Sequence, residues 1–212
     1  MRPYMFGILL IAASAAQAHD ARDFHVEAKD VQIVFVDLQP ELTKASYSVA
    51  PHALATNARV LAKIAGMNHV PVTFSTVSAA GQPGRLLPEL LPYANAANTF
   101  PRVPAGTFMD PVLVAGLAAH HRKVLVVSGY ATEVAVLQTA LGALDAGYRV
   151  YVAVDAIGSK STRTERAALD EMAQAGVTPI SVLALAGMLA PDFSKPPGAN
   201  VLATFDELIP PN

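Results

Sequence analysis

The sequence predicts a single α/β domain: one doubly wound, Rossmann-like parallel sheet with helices on both faces. Three observations predict it. Continuous apolar runs of strand length alternate with segments of helical periodicity, the pattern of a parallel sheet buried on both sides. The stretch 123–155 reads as a complete strand–helix–strand unit. The 212 residues are 52% hydrophobic and 15% charged, enough to bury one sizeable core.

Taken in order, Val31-Gln32-Ile33-Val34-Phe35-Val36 is the first strand and ends in Asp37. A helix over His52–Met67 repeats apolar residues at Leu54, Ala58, Leu61, Ala62 and Ala65, and stops at 66–68. Pro71 opens the second strand, Val72–Ser75, and Gly81-Gln82-Pro83-Gly84 is a loop. A short helix near 86–91, a short strand near 98–102 and a helix over 110–120 follow. Lys123–Ser128 is then a continuous apolar strand, Gly129 a turn, Thr132–Ala146 a helix with Gly147 as its stop, and Tyr148–Val154 a strand ending in Asp155. The chain closes with a helix over Thr162–Ala175 stopped by Gly176, a strand over Thr178–Val182, a helix over Leu183–Leu189 and a proline-rich arm over Pro191–Gly198.

The first eighteen residues stand outside that pattern. Arg2 precedes an almost wholly apolar stretch from Met5 to Ala16, and Ala16-Gln17-Ala18 has the small-x-small form of a signal-peptidase site. The expectation is a cleaved signal peptide over 1–18, a domain over 19–212, and a periplasmic or secreted protein with no membrane association after cleavage; the competing reading is an N-terminal anchor. A net charge of -2 gives no basic field for nucleic acid. The chain has no cysteine, which excludes a disulfide framework, a thiolate metal site and a thiol nucleophile.

Ligands of doubly wound sheets sit beyond the carboxyl ends of the strands, where the strand order reverses. Asp37, the Gly129–Ala135 turn and Asp155 fall at expected strand ends. If the Val31 and Val124 strands are neighbours, Asp37 faces the N-terminus of the Thr132 helix.

Three blocks carry a family resemblance over about Val31 to Leu189: Val34-Phe35-Val36-Asp37-Leu38-Gln39; Ser128-Gly129-Tyr130-Ala131-Thr132-Glu133-Val134-Ala135-Val136 with Thr139-Ala140; and Gly147-Tyr148-Arg149-Val150 leading to Val154-Asp155-Ala156. In these the chain resembles the isochorismatase-like, or cysteine hydrolase, superfamily. The Thr-Glu-Val turn, Ser161-Thr162-Arg163 and Met172-Ala173-Gln174-Ala175-Gly176 are most similar to its YcaC-like branch. The resemblance implies an Asp–Lys–Cys triad and places it on Asp37, Arg102 and Ala135, so that only the first position keeps the family residue. It also implies a non-proline cis peptide near Tyr130-Ala131 and a substrate-binding turn made by Tyr130, Ala131, Thr132 and Val134, whose backbone N–H groups at Val134 and Ala135 could form an oxyanion hole.

The substitutions have chemical consequences. Alanine supplies no nucleophile, and arginine keeps its charge but stays protonated, so it cannot shuttle a proton. Asp37 reads either as a general acid or base or as a polar strand end; Arg102 either as an anion-binding group or as a solvated loop cation. Thr132 and Glu133 read alternatively as helix capping and a first-turn acid. Gln39 receives no role. Six histidines do not assemble a recognisable metal set: His120-His121 reads as a helix C-terminal cap, and His19 with His25 lacks a third ligand. No cofactor is expected. Ser128, Tyr130 and Thr139 have no base within their motif and read as structural.

Two functions remain open. One is a hydrolase working without a thiol intermediate, whose chemistry depends on Asp37 and in which Arg102 binds a substrate carboxylate; true isochorismatases, which also lack the cysteine and protonate a vinyl ether, make this chemistry available to the family. The other is a non-catalytic member, either binding a small molecule or acting as an oligomeric scaffold. An engineered Cys→Ala change at position 135 would leave Arg102 unexplained. A homo-oligomer with a small-molecule ligand is expected in either case.

Overall fold

A computed structural model describes residues 26–78, 81 and 84–210. The expected signal segment, His19 and His25 lie outside the described residues. Six parallel strands form one sheet in the order β3-β2-β1-β4-β5-β6: β1 Val31–Val36, β2 Val72–Val77, β3 Thr99–Arg102, β4 Val124–Tyr130, β5 Arg149–Gly158 and β6 Thr178–Ile180. The order reverses at β1, which pairs with β2 on one side and with β4 on the other, from Val31↔Val124 to Val36↔Gly129. The expected adjacency of the Val31 and Val124 strands is therefore present, and the crevice of a doubly wound sheet opens at the carboxyl ends of β1 and β4.

The apolar strand runs are explained by two-sided burial. Val31, Ile33 and Phe35 of β1, with Val124 and Val126 of β4, enter one core layer; Val34 and Val36, with Leu125 and Val127, enter the other. Successive side chains point to opposite faces, so a strand covered on both sides has to be apolar at consecutive positions. The first layer is roofed by α2 (Pro51–Met67) and α6 (Val182–Leu189), the second by α4 (Leu137–Asp145) and α5 (Thr162–Ala175). Phe35 stacks on Phe74 with ring centroids 5.1 Å apart, joining β1 to β2 within the first layer. The remaining helices are α1 (Pro40–Thr43), α3 (Pro111–Ala118) and α7 (Gly198–Leu202). Among the described residues no helix is long and apolar enough to cross a membrane.

Several element ends differ from expectation. Gly129 is not a turn: β4 continues to Tyr130, and a Cβ at Gly129 would meet the Val36 carbonyl oxygen at 2.4 Å, so glycine is required by the close approach of β1. Strand β5 does not end at Asp155. It runs to Gly158 past a register shift opposite Val127/Gly129, and Asp155 lies inside it, its carboxylate accepting the Val182 amide at 2.8 Å as a cap for α6. Burial pushes the Asp155 carboxyl above its usual range. The expected Thr132 helix is a single π-type turn, Thr132–Val136, leading into α4. α3 ends at Ala118 rather than reaching His120, whose Nε2 lies 3.4 Å from the Thr73 hydroxyl; His121 takes a left-handed φ of 53°.

Candidate functional site

Asp37 leaves β1 with a left-handed φ of 54°, a conformation that aspartate tolerates better than most side chains. Its amide still donates to the Ser75 carbonyl at 2.9 Å, so the backbone stays in register while the carboxylate is re-aimed beyond the strand. The residue is 5% exposed. Its Oδ2 accepts from Arg102 Nη2 at 2.6 Å, and Arg102, itself 4% exposed, also donates through Nη1 to the Pro104 carbonyl. Strand β3, paired with β2 through Val77↔Arg102, brings the arginine there. Arg102 is thus not a solvated loop cation: its two terminal nitrogens bond to Asp37 and to main chain, while its Nε has no partner.

Burial and the guanidinium act on Asp37 in opposite directions. Desolvation raises the pKa, Arg102 lowers it by charge and by hydrogen bonding, and burial wins: the carboxyl is pushed up to about 6. Oδ1 is buried with no hydrogen-bond partner.

Across the crevice the chain turns from β4 into the π-type segment through a cis Tyr130-Ala131 peptide, as the resemblance implies. Asp37, Tyr130, Ala131, Val134 and Ala135 line one cavity of about 310 Å³, joined by Glu41, Leu42, Ala45, Glu133 and Lys160. The structure therefore brings Asp37 to Ala135 and to three of the four expected turn residues. Thr132 is the exception. It is fully buried, it is not in the cavity wall, and its hydroxyl is 3.1 Å from the Gly158 carbonyl and 3.0 Å from Glu165 Oε2. Nor does it cap the helix. Its role is to tie the turn to β5 and α5. The Val134 amide donates to the Ala131 carbonyl at 3.1 Å, so it is not available to an oxyanion.

Groups that drew no functional reading from sequence shape this site. Gln39 is fully buried and clamps β2 from both sides: its Nε2 donates to the Val77 carbonyl at 2.9 Å and its Oε1 accepts from the Val77 amide at 2.8 Å. Glu165 Oε2 also accepts from Ser48 at 2.7 Å, and Ser48 Oγ in turn accepts the Ser159 amide at 2.8 Å. Lys160, just beyond the end of β5, is an exposed residue that lines the cavity; its position past a strand end is the signal that could have found it. Burial, then the nearby Glu133, raises the Tyr130 hydroxyl's pKa. Among the described residues no three His, Asp or Glu side chains are grouped so as to hold a metal ion.

Residues 31–183 match the isochorismatase domain. The chain is similar to the probable hydrolase YcaC of Escherichia coli K12, at 28% identity over 158 residues, 71% of this chain and 73% of that one. Among solved structures, the E. coli YcaC gene product, described as an octameric hydrolase of unknown specificity, superposes with a TM-score of 0.81 at 28% identity, over 88% of this chain and 92% of that one. YcaC from Pseudomonas aeruginosa, solved with hexane-2,5-diol and covalent acrylamide, gives a TM-score of 0.78 at 25% identity, over 87% of this chain and 98% of that one.

Proposed function

The chain belongs to the isochorismatase family, and from that premise we propose that it is an exported hydrolase that works without a thiol, with Asp37 as its proton-transfer group. The observation that carries the proposal is the Asp37 carboxyl: buried in the cavity wall, held on one oxygen by Arg102, unpartnered on the other, and with a pKa pushed up to about 6. A group of that pKa supplies both protonation states near neutral pH, which is what general acid–base catalysis requires. Ala135 faces the same cavity at the position where the family resemblance puts the nucleophile, and the chain contains no cysteine to replace it. Water must then be the attacking species. The Asp37 carboxyl gives its proton to the substrate, at the leaving group or at an alkene carbon, and recovers one from the water that adds. Arg102 positions the Asp37 carboxylate and restrains its pKa; it does not bind substrate.

One observation favours the second reading, a non-catalytic ligand-binding member: Oδ2 is tied to a cation that cannot exchange a proton. A hydrolysis screen of simple amides, nicotinamide and isochorismate decides between them. Turnover by the wild type that is lost in Asp37→Asn/Arg102→Gln, a pair that leaves no unpaired buried charge, supports the first. No turnover by the wild type supports the second, and turnover that survives the double substitution sinks the site assignment.

Export rests on the Met5–Ala16 apolar run and Ala16-Gln17-Ala18, and is checked by intact mass in the source cell, where a retained Met1 would count against it. Self-association is supported by the octameric E. coli YcaC and by the exposed apolar side chains of Tyr47, Val103 and Val112. A monomer by light scattering at micromolar concentration would remove it.

A further inference from the structure

The wall of the Asp37 cavity holds more hydrogen-bond acceptors than the protein satisfies. Asp37 Oδ1, Glu41 Oε2 and Glu133 Oε2 are buried atoms without a partner, as is the Tyr130 hydroxyl, and all four residues line this one cavity. Asp37 and Tyr130 are 5% and 4% exposed, so solvent does not serve them freely, whereas Glu41 and Glu133 are half-buried at the cavity's rim. The other carboxylate oxygens are occupied: Asp37 Oδ2 by Arg102, Glu41 Oε1 by Arg85 at 3.0 Å, and Glu133 Oε1 by the Thr164 hydroxyl at 2.9 Å. Two guanidinium groups thus hold Asp37 and Glu41, and a hydroxyl holds Glu133, each leaving one carboxylate oxygen unsatisfied. Lys160, the lysine that lines this cavity, bonds to none of the three carboxylates among the described residues.

An unsatisfied buried acceptor costs about 1–3 kcal/mol, and more when charged, so several around one cavity favour a ligand that brings donors. A bare metal ion is a poor candidate, because the carboxylates are not grouped with metal-site geometry among the described residues. A polyatomic cation can reach separated acceptors. Leu42, Ala45, Val134 and Ala135 supply apolar contact beside the acceptors, and about 310 Å³ accommodates a ring-sized body.

We infer that this cavity selects a small organic cation, a primary ammonium or amidinium on a short apolar body, over anionic ligands of the same size. The inference rests on reading this cavity as the ligand site. It changes the expected substrate class, since a carboxylate-bearing ligand would meet carboxylate oxygens where the sequence suggests an arginine.

The test is calorimetric titration of the full chain at neutral pH and low salt with three probes of one size: benzylamine, benzyl alcohol and benzoate. Benzylammonium is expected to bind about tenfold or more tighter than benzyl alcohol, with benzoate weakest. Glu133→Gln should weaken benzylammonium several-fold and leave benzyl alcohol unchanged, whereas Lys160→Ala should strengthen benzylammonium. Benzoate binding as tightly as benzylammonium, insensitivity to Glu133→Gln, or no binding of any probe overturns the inference. Ala135→Leu, which puts bulk into the cavity, separates the two levels. If benzoate binds best and Ala135→Leu abolishes it, the cavity is the ligand site but its selectivity is misread. If benzylammonium binding survives Ala135→Leu, the cavity itself is misassigned.

Discussion

Two buried polar clusters lie at the carboxyl ends of the central strands, and they differ in completeness. One is satisfied and has two separate parts: Gln39 exchanges two hydrogen bonds with Val77, and Ser48, Thr132, Ser159 and Glu165 are linked to one another and to the Gly158 carbonyl. In the other, two residues before Gln39 in the chain, Asp37 and Arg102 share one strong contact and leave Asp37 Oδ1 and Arg102 Nε without partners. Apart from the half-buried Val77 and Glu165, the residues named in both are buried, so exposure alone does not tell them apart. The satisfied one fixes loops; the unsatisfied one borders a cavity and has hydrogen-bonding capacity that no other described residue takes up.

The sharpest way to break this contrast is to remove one charge of the ion pair. Asp37→Asn strands the Arg102 guanidinium in the interior, where it cannot neutralise itself, and should lower stability by about 3–5 kcal/mol in urea unfolding at neutral pH. Arg102→Met should cost less, because Asp37 can take up a proton. The guanidinium lowers the Asp37 pKa, so its loss should move that pKa above about 6, as read by carbon NMR titration of the carboxyl. Equal losses from the two single substitutions would refute the asymmetry.

Wild-type stability should carry the same signature in its pH dependence. The folded-state pKa of Asp37 is raised above the unfolded value of 3.8 to about 6, so between these values the folded chain holds the proton and the unfolded chain does not. Stability therefore falls as pH rises through that window and levels off above it, by about 3 kcal/mol for a shift of this size. Asp155, also raised by burial, adds a slope of the same sign. The readout is the difference between wild type and Asp37→Asn/Arg102→Gln, unfolded at pH 4.5 and 7.5; an unchanged slope in the double variant would show that Asp37 does not carry it.

The clusters also differ in how far they could be read from the sequence. Strand β1 and helix α5 were legible to the residue, because five of the six positions before Asp37 are apolar, Gln32 being the exception, and because Gly176, at a φ of 108°, stops α5. Gly129 and Asp155 misled for a common reason: a glycine and a buried acid look like strand ends, whereas one permits close packing of β1 and the other caps a distant helix. Asp37 and the Gly129–Ala135 turn were nominated by their place at strand ends, whereas Arg102 and the triad position of Ala135 came from the resemblance, and the pairing of Asp37 with Arg102 followed only from β3 joining the sheet. Gln39 looked like a loop residue because its partner Val77 is 38 positions away. Glu41 drew no role because its placement on the cavity is a property of the crevice, not of any local pattern, and Lys160 drew none because the strand before it was expected to end at Asp155.

Within the satisfied cluster the effects should be smaller and purely structural. Gln39→Ala leaves the Val77 amide and carbonyl without their partner and should cost about 1–3 kcal/mol. Any ligand affinity of the folded fraction should be unchanged. A loss of affinity larger than the loss of folded protein would merge the two clusters and undo the distinction.

The smallest expected effect on stability is also the most direct probe of the cavity. Ala135→Cys adds one sulfur atom at a position that is 3% exposed yet lines open space, so stability should change by less than about 1 kcal/mol. Reactivity at position 135 changes in kind. The start of the Thr132–Asp145 helical run favours a thiolate, while burial and the Asp37 carboxylate disfavour it, and Arg102 is already committed to Asp37. The new thiol should therefore alkylate slowly at neutral pH. Acrylamide, held covalently in the P. aeruginosa YcaC structure, is the matching probe: intact mass after incubation should show one adduct on Ala135→Cys and none on wild type. Raising the pH should speed the reaction. Hydrolytic turnover should not rise with the thiol alone, because no lysine stands at position 102 to support it. Rapid alkylation at neutral pH would mean that the helix terminus dominates and that Asp37 is not facing position 135 as a charge.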